Sequence, residues 1–274
     1  MKIKTIKPIV LAAFLTILAS CSSDDDNTVI TDAGGVGDAE LYFDNGVAGD
    51  AFFLGGIYTN SNNETLTVNR LSYIISNVVL IDNEGNEFVY PKEESYFVIS
   101  EEADIHTVHL HDIPVGNYTK VKFGIGVDQQ RYLQGETAQQ SFWDLAAEHN
   151  LTWTWSTGYR FINFEGTFTS PNVDGDKIFQ VHQGSNSSTD NYREVTLNLP
   201  TTARVRVNEN PSIHIKTDVN VILDGETKIP LGENMNQAGT GASIMGGQNL
   251  IYIAENILDM FVVDHVHNGA GNHH

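Results

Sequence analysis

A single cysteine in 274 residues removes most sulfur chemistry at once. One thiol cannot close an intrachain disulfide, form a Cys-x-x-Cys redox pair or build a thiolate zinc site. Basic residues are scarce too, with 15 Lys and Arg against 35 Asp and Glu and a net charge of −20. Such a surface repels phosphate backbones and anionic lipid, and no Lys/Arg cluster offsets it, so nucleic-acid binding is excluded. Long apolar runs are missing as well. The one apolar stretch, Ile9 to Ala19, falls short of the roughly 20 residues that cross a bilayer. The chain carries no Gly-x-Ser-x-Gly, Walker, Rossmann or His-Glu-x-x-His pattern, and its carboxylates are too dispersed to single out an acid/base pair. No enzymatic activity is expected.

The N-terminus accounts for the cysteine. Lys2, Lys4 and Lys7 precede the short apolar run, and small residues lead to Cys21, the layout of a signal peptide over residues 1–20. Leu18-Ala19-Ser20-Cys21 resembles a bacterial lipobox, which implies acylation of Cys21 and attachment to a membrane through it. The following Ser22-Ser-Asp24-Asp25-Asp26 resembles the acidic export signal of surface lipoproteins in the Bacteroidetes. An outer-membrane lipoprotein is therefore expected, displayed on the surface in preference to the periplasmic side. Removal of residues 1–20 takes away three lysines and no acid, leaving 12 basic and 35 acidic residues and a net charge of −23. Residues 21–39, rich in Asp, Gly and Thr without periodicity, read as a tether, and 269–274 as a disordered tail.

From Glu40 to Asn268 short apolar runs alternate with Gly, Asn, Asp and Pro clusters. The expected fold is mainly β, a single sandwich- or barrel-like domain over 40–268. Strands are expected at 40–44, 66–80, 87–90, 95–99, 106–111, 118–127, 151–155, 159–168, 177–183, 193–199, 204–207, 212–223 and 227–230. Two short helices interrupt them. One is N-capped by Thr137 with Phe142, Leu145, Ala146 and His149 on one face. The other places Ala254, Ile257, Leu258 and Phe261 at helical spacing and ends just before His265. A monomer is expected.

Ten histidines supply the chemistry that sulfur does not. Neutral imidazole binds metal without first displacing a proton. His109/His111 and His265/His267 are period-two pairs, which an extended chain points to one side. His182 lies in an apolar run, Phe179-Gln-Val-His182-Gln-Gly184. Taken singly, these read as surface or core histidines with hydrogen-bond partners. Met235, Met245 and Met260 offer thioether but read as packing. Asn172-Val-Asp174-Gly175-Asp176 has the alternating oxygens of a calcium loop and lacks its closing glutamate, so it reads as a solvated turn.

Several motifs occur together and in order: Leu71-Ser-Tyr73-Ile-Ile-Ser76-Asn77, Phe123-Gly-Ile-Gly126-Val127-Asp128, and Trp153-Thr-Trp155-Ser-Thr-Gly158-Tyr159-Arg-Phe161 with Glu165-Gly166. They continue through the His182 motif and His214-Ile-Lys-Thr-Asp218 to Ala254-Glu-Asn256 and Asp264-His265-Val-His267-Asn268. The series resembles the MbnP-like family of bacterial copper-binding proteins. The resemblance implies a β-sandwich that binds copper for scavenging, storage or delivery, with zinc as competitor. It also implies a tryptophan oxidised to kynurenine at the metal, Trp153 or Trp155, by a dihaem partner enzyme. On this reading His182, His265 and His267 are the expected ligands, His109 and His111 the fallback pair, and Asp128 and Asp264 the acceptors that orient the imidazoles. The alternative is a surface glycan- or ligand-binding lipoprotein that uses Trp143, Trp153, Trp155 and Tyr159 as an aromatic platform. A third reading makes the chain a scaffold domain in which every histidine is structural.

Overall fold

The computed structural model describes residues 34–154 and 157–269. Cys21, Trp155, His273 and His274, with the signal peptide and most of the tether, lie outside the described residues. The strands in chain order are β1 (Val36–Val47), β2 (Asp50–Ala51), β3 (Ile57–Thr59), β4 (Thr65–Asp82), β5 (Glu87–Val89), β6 (Tyr96–Ser100), β7 (Thr107–Pro114) and β8 (Gly116–Ile125). After α1 (Gln129–Tyr132) and α2 (Gln140–Glu148) come β9 (Ile162–Ser170), β10 (Val173–Gln183), β11 (Arg193–Val205) and β12 (Ser212–Asp218). The chain closes with α3 (Val221–Asp224), β13 (Gly241–Ile244), α4 (Gln248–Asn256) and β14 (Phe261–His267). The fold is mainly β, as its alternating pattern requires.

A five-stranded sheet runs β14-β12-β1, with β7 and β2 both on the far side of β1. A nine-stranded sheet runs β11-β8-β4-β9-β10-β13, with β3, β5 and β6 also on β4. The two pack face to face. Leu41 and Phe43 of β1 meet Phe123 of β8 and Tyr73 of β4, and Phe43 lies edge-on to Phe123 at 5.7 Å and to Phe261 at 6.1 Å. A second apolar cluster covers the other face of β4, where Ile74, Val127, Leu151 and Phe161 pack under Ala146 of α2. Burial on both faces explains why β4 is buried without alternation from Leu71 to Ser76.

Several boundaries differ from the sequence reading. β1 begins at Val36, inside the expected tether. The segments 193–199 and 204–207 form one strand: β11 is an edge strand, which tolerates Pro200, and its register shifts between Asn198 and Ala203. Of the expected strands 151–155 and 227–230, the described residues 151–154 and 227–230 make only isolated bridges, Thr152 to Tyr159 and Lys228 to Asp224. The run from 212 ends at Asp218, and 221–224 are helical. β2, β3 and β13 are short strands with too little alternation to stand out. Among the described residues there are four short helices, not two. Thr137 lies within a 3₁₀ turn, Glu136–Gln139, and Gln139 precedes α2 without a capping side chain. The last helix ends at Asn256, followed by a 3₁₀ turn over Ile257–Asp259, because Phe261 is drawn into the sheet beside Thr217. Among the described residues no helix is long and apolar enough to cross a membrane.

Candidate metal centre

Alternation along β1 buries Ala39, Leu41 and Phe43 and turns Asp38, Glu40, Tyr42 and Asp44 outward. On β12 the same rule buries Ile213 and Ile215 and turns His214 outward. Register then decides which residues meet. Tyr42 is opposite His214, and His214 is opposite His265, so one row of the outer face reads His265, His214, Tyr42. Two residues along, His267 is opposite Ser212.

The result is a cluster of three imidazoles. His214, His265 and His267 each offer a ring nitrogen, all within 4.8 Å of one another. The His265 ring stacks on His214 at 4.2 Å and meets His267 edge-on at 4.6 Å, with Nε2 to Nε2 at 3.0 Å. Nitrogens bound at about 2.0–2.1 Å to one tetrahedral ion lie roughly 3.3 Å apart, so this set fits one ion with small side-chain rotations. Among the described residues it is the one group of three or more His, Cys, Asp or Glu side chains whose ligand atoms already converge this closely.

A bulge completes the arrangement. Register shifts between His214 and Ile215, so Asp264 is the extra residue of β14 and shares the outer face with its neighbour His265. Its Oδ2 lies 2.7 Å from His265 Nδ1, and its Oδ1 2.7 Å from Lys216 Nζ. Hydrogen bonds from Lys216 and then His265 hold the Asp264 carboxyl below its ordinary range. An ionised carboxylate accepts only, so His265 carries its proton on Nδ1 and presents the Nε2 lone pair to His267. Asp264 thus stands where an orienting acceptor is expected.

The structure does not bring His182 to this cluster. His182, on β10 in the larger sheet, is 2 % exposed. Its Nε2 lies 2.6 Å from Glu165 Oε1, and its ring meets that of Trp153 at 5.7 Å. Burial lowers its pKa more than Glu165 raises it, while the hydrogen bond from His182 lowers that of Glu165. The pair is therefore a neutral imidazole donating to a carboxylate. Its buried Nδ1 has no hydrogen-bond partner. Trp153 lies in the loop closed by the Thr152–Tyr159 bridge, with the Arg160 guanidinium 5.1 Å above its ring, and lines a cavity of about 410 Å³ with Met245. Residues expected at one centre thus divide between two sheets.

The other candidates are accounted for in turn. His109 pairs through Nδ1 with Glu40 at 3.1 Å and His111 with Asp38 at 3.3 Å, on the far edge of the histidine-bearing face. Asp128 is no acceptor for these histidines: it caps α1 and takes hydrogen bonds from Lys92, Tyr96 and Asn77. Burial alone would raise its pKa, and those bonds outweigh it and hold the carboxyl at about 2. Asp174 and Asp176 sit exposed in the β9–β10 hairpin. Met260 is buried, and Met235 packs against the core. Trp153 is 9 % and Tyr159 1 % exposed, and Trp143 packs edge-on to Tyr159 at 5.1 Å, which leaves no exposed platform of these three rings.

The member of this cluster that the sequence reading did not name as a candidate ligand is His214. Its single histidine in an apolar strand carries no spacing signal, and only the β12–β14 register reveals it.

The family model for MbnP matches residues 36–245, a span that includes His182 and His214 and stops before β14. Among solved structures, MbnP from Methylosinus trichosporium is similar, at 12 % identity and a TM-score of 0.47, with 77 % of this chain and 81 % of that one covered. No curated protein matches the chain.

Proposed function

The chain belongs to the MbnP family, and from that premise we propose that it is an exported copper-binding protein, anchored through Cys21, that takes up or delivers the metal and catalyses no reaction of its own. The observation that carries this is the outward cluster of His214, His265 and His267 with Asp264 behind it. Three imidazoles without a thiolate suit Cu(II) first by the Irving–Williams order and zinc next. The half-buried setting lets a donor or acceptor of copper reach the ion. A surrounding charge as negative as this chain's favours any cation that approaches.

The test is to dialyse the purified protein against Cu(II) and then against a competing amino acid. One ion per chain, with spectroscopic nitrogen couplings from imidazole that His265→Ala/His267→Ala abolishes, supports the reading. Loss of all copper to the competitor overturns it.

A second reading has its own observation. The buried, partnerless Nδ1 of His182 beside Trp153 makes that loop the better place for a tryptophan oxidised to kynurenine by a partner enzyme. Kynurenine would add an aniline nitrogen where indole has only a donor. Peptide mass spectrometry of protein from its native host tests it. A Trp153 peptide with one carbon replaced by one oxygen supports the reading, and an unmodified peptide sinks it.

A further inference from the structure

The two edge strands of the five-stranded sheet each carry a His-x-His on the same outer face. β14 carries His265 and His267, and β7 carries His109 and His111. The shared face follows from register. His267 is opposite Ser212, Ser212 opposite Glu40, and Glu40 opposite His109, so one row crosses the sheet from one pair to the other. Three strand spacings of about 4.8 Å put His109 roughly 14 Å from His267, too far to share an ion.

Each β7 imidazole has its own carboxylate. His109 Nδ1 lies 3.1 Å from Glu40 Oε1, and His111 Nδ1 lies 3.3 Å from Asp38 Oδ1. Glu40 is opposite His109 in register, and Asp38 faces His111 where the β1–β7 register shifts, with the two histidines roughly 6.6 Å apart along the strand, so one ion would draw the four exposed side chains together by rotation. Leu110, between the histidines, is fully buried and fixes which way both point. Glu40 is itself held by backbone pairing on both sides, to β12 and to β7.

We propose that His109, His111, Glu40 and Asp38 form a second metal-binding place, weaker than the three-imidazole cluster. Two imidazoles and two carboxylates are the tetragonal nitrogen–oxygen donor set of Cu(II) or Ni(II). With neutral imidazoles the four groups carry two negative charges, which one divalent ion neutralises. Exposure makes the place labile, with the His109 and His111 side chains 59 % and 65 % exposed, so it exchanges its ion readily. A labile site on the face that also bears a tighter one gives an arriving ion a first place to stop. The proposal stands on β7 and β1 alone and does not require that the three-imidazole cluster bind copper.

Calorimetric titration of the whole protein with Cu(II) in a weakly competing buffer tests it. Two binding events are expected, one tight and one weaker. His109→Ala/His111→Ala removes the weaker event and leaves the tight one, and Glu40→Gln, which keeps an oxygen but loses the charge, weakens the former by at least about ten-fold. Both are changes on an exposed face, and circular dichroism checks that the sheet is intact. His265→Ala/His267→Ala removes the tight event and leaves the weaker. A weak event that persists in folded His109→Ala/His111→Ala, or a wild-type titration with the tight event alone, overturns the second site. Loss of the tight event from the wild type, with the weaker one still dependent on His109 and His111, supports this site while overturning the three-imidazole reading.

Discussion

Replacing His214 by alanine separates the cluster on the small sheet from the His182–Trp153 pair on the large one. The side chain is half-buried, and its ring touches His265 at 4.2 Å, His267 at 5.1 Å and Tyr42 at 5.1 Å. Loss of such ring contacts costs roughly 0.5–1.5 kcal/mol in the metal-free protein, a fall in Tm of about 2–4 °C per kcal/mol at this size. The effect on copper is larger. Removing a group that merely orients a ligand weakens a metal site about 10- to 100-fold, so removing the ligand costs at least about 100-fold, or about 2.8 kcal/mol. At a copper concentration 100 times the wild-type Kd, binding stabilises the wild type by about 2.7 kcal/mol and His214→Ala by only ~0.4 kcal/mol. Thermal unfolding with and without copper therefore reads the difference directly. His182→Ala is the control. It leaves the Glu165 carboxylate without its imidazole and costs roughly 1–3 kcal/mol with or without metal, while the copper-induced gain stays at the wild-type value. A His214→Ala protein that keeps the full gain, beside a His182→Ala protein that loses it, would refute the assignment of the ligands.

Asp264→Asn removes the charge that fixes the His265 proton on Nδ1, and copper affinity is expected to fall about ten-fold in a competition titration; an unchanged affinity denies Asp264 any role in orienting the ring. Asp128 titrates at about 2 in the folded chain, below its ordinary 3.8, so its contribution is complete above about pH 4 and is lost as pH falls through 2. With allowance for screening at the exposed Lys92, Asp128→Asn should cost ~1–2 kcal/mol in urea unfolding at pH 7 and almost nothing at pH 2, and an equal cost at both would contradict the ion-pair account. Gly166→Ala would set a Cβ 2.1 Å from the Thr67 carbonyl oxygen and 2.8 Å from the Phe179 ring, so a loss of roughly 1–3 kcal/mol is expected by chemical unfolding. A stability within 0.5 kcal/mol of wild type, on the order of a neutral surface change, would show that β4 and β9 yield at that point.

The structure explains why parts of the site were legible in the sequence and others were not. His265-x-His267 was readable because period-two spacing survives in any extended strand, and Asp264 because it is adjacent. His214 was unreadable as a partner, since it lies about fifty residues away and joins the pair only through the antiparallel register of β12 with β14. His182 stood among the expected ligands because it lies in a family motif, although a histidine in an apolar run reads by itself as a core residue. In the fold the same burial ties it to Glu165 and Trp153. Asp128 misled for a related reason: a carboxylate beside a family motif was put to a capping role by Lys92, Tyr96 and Asn77, which arrive from two other strands and a turn.

The sequence by itself determined the mainly-β architecture, because alternating apolar and polar residues can bury one face only as strands. It also determined that one cysteine leaves no disulfide or thiolate metal site, the strong negative charge and the family to which the motifs belong. Only the tertiary structure decided which histidines meet. Imidazoles converge through strand order, register and one bulged residue, and each of those is set by pairings between segments distant in the chain, where no local periodicity carries information.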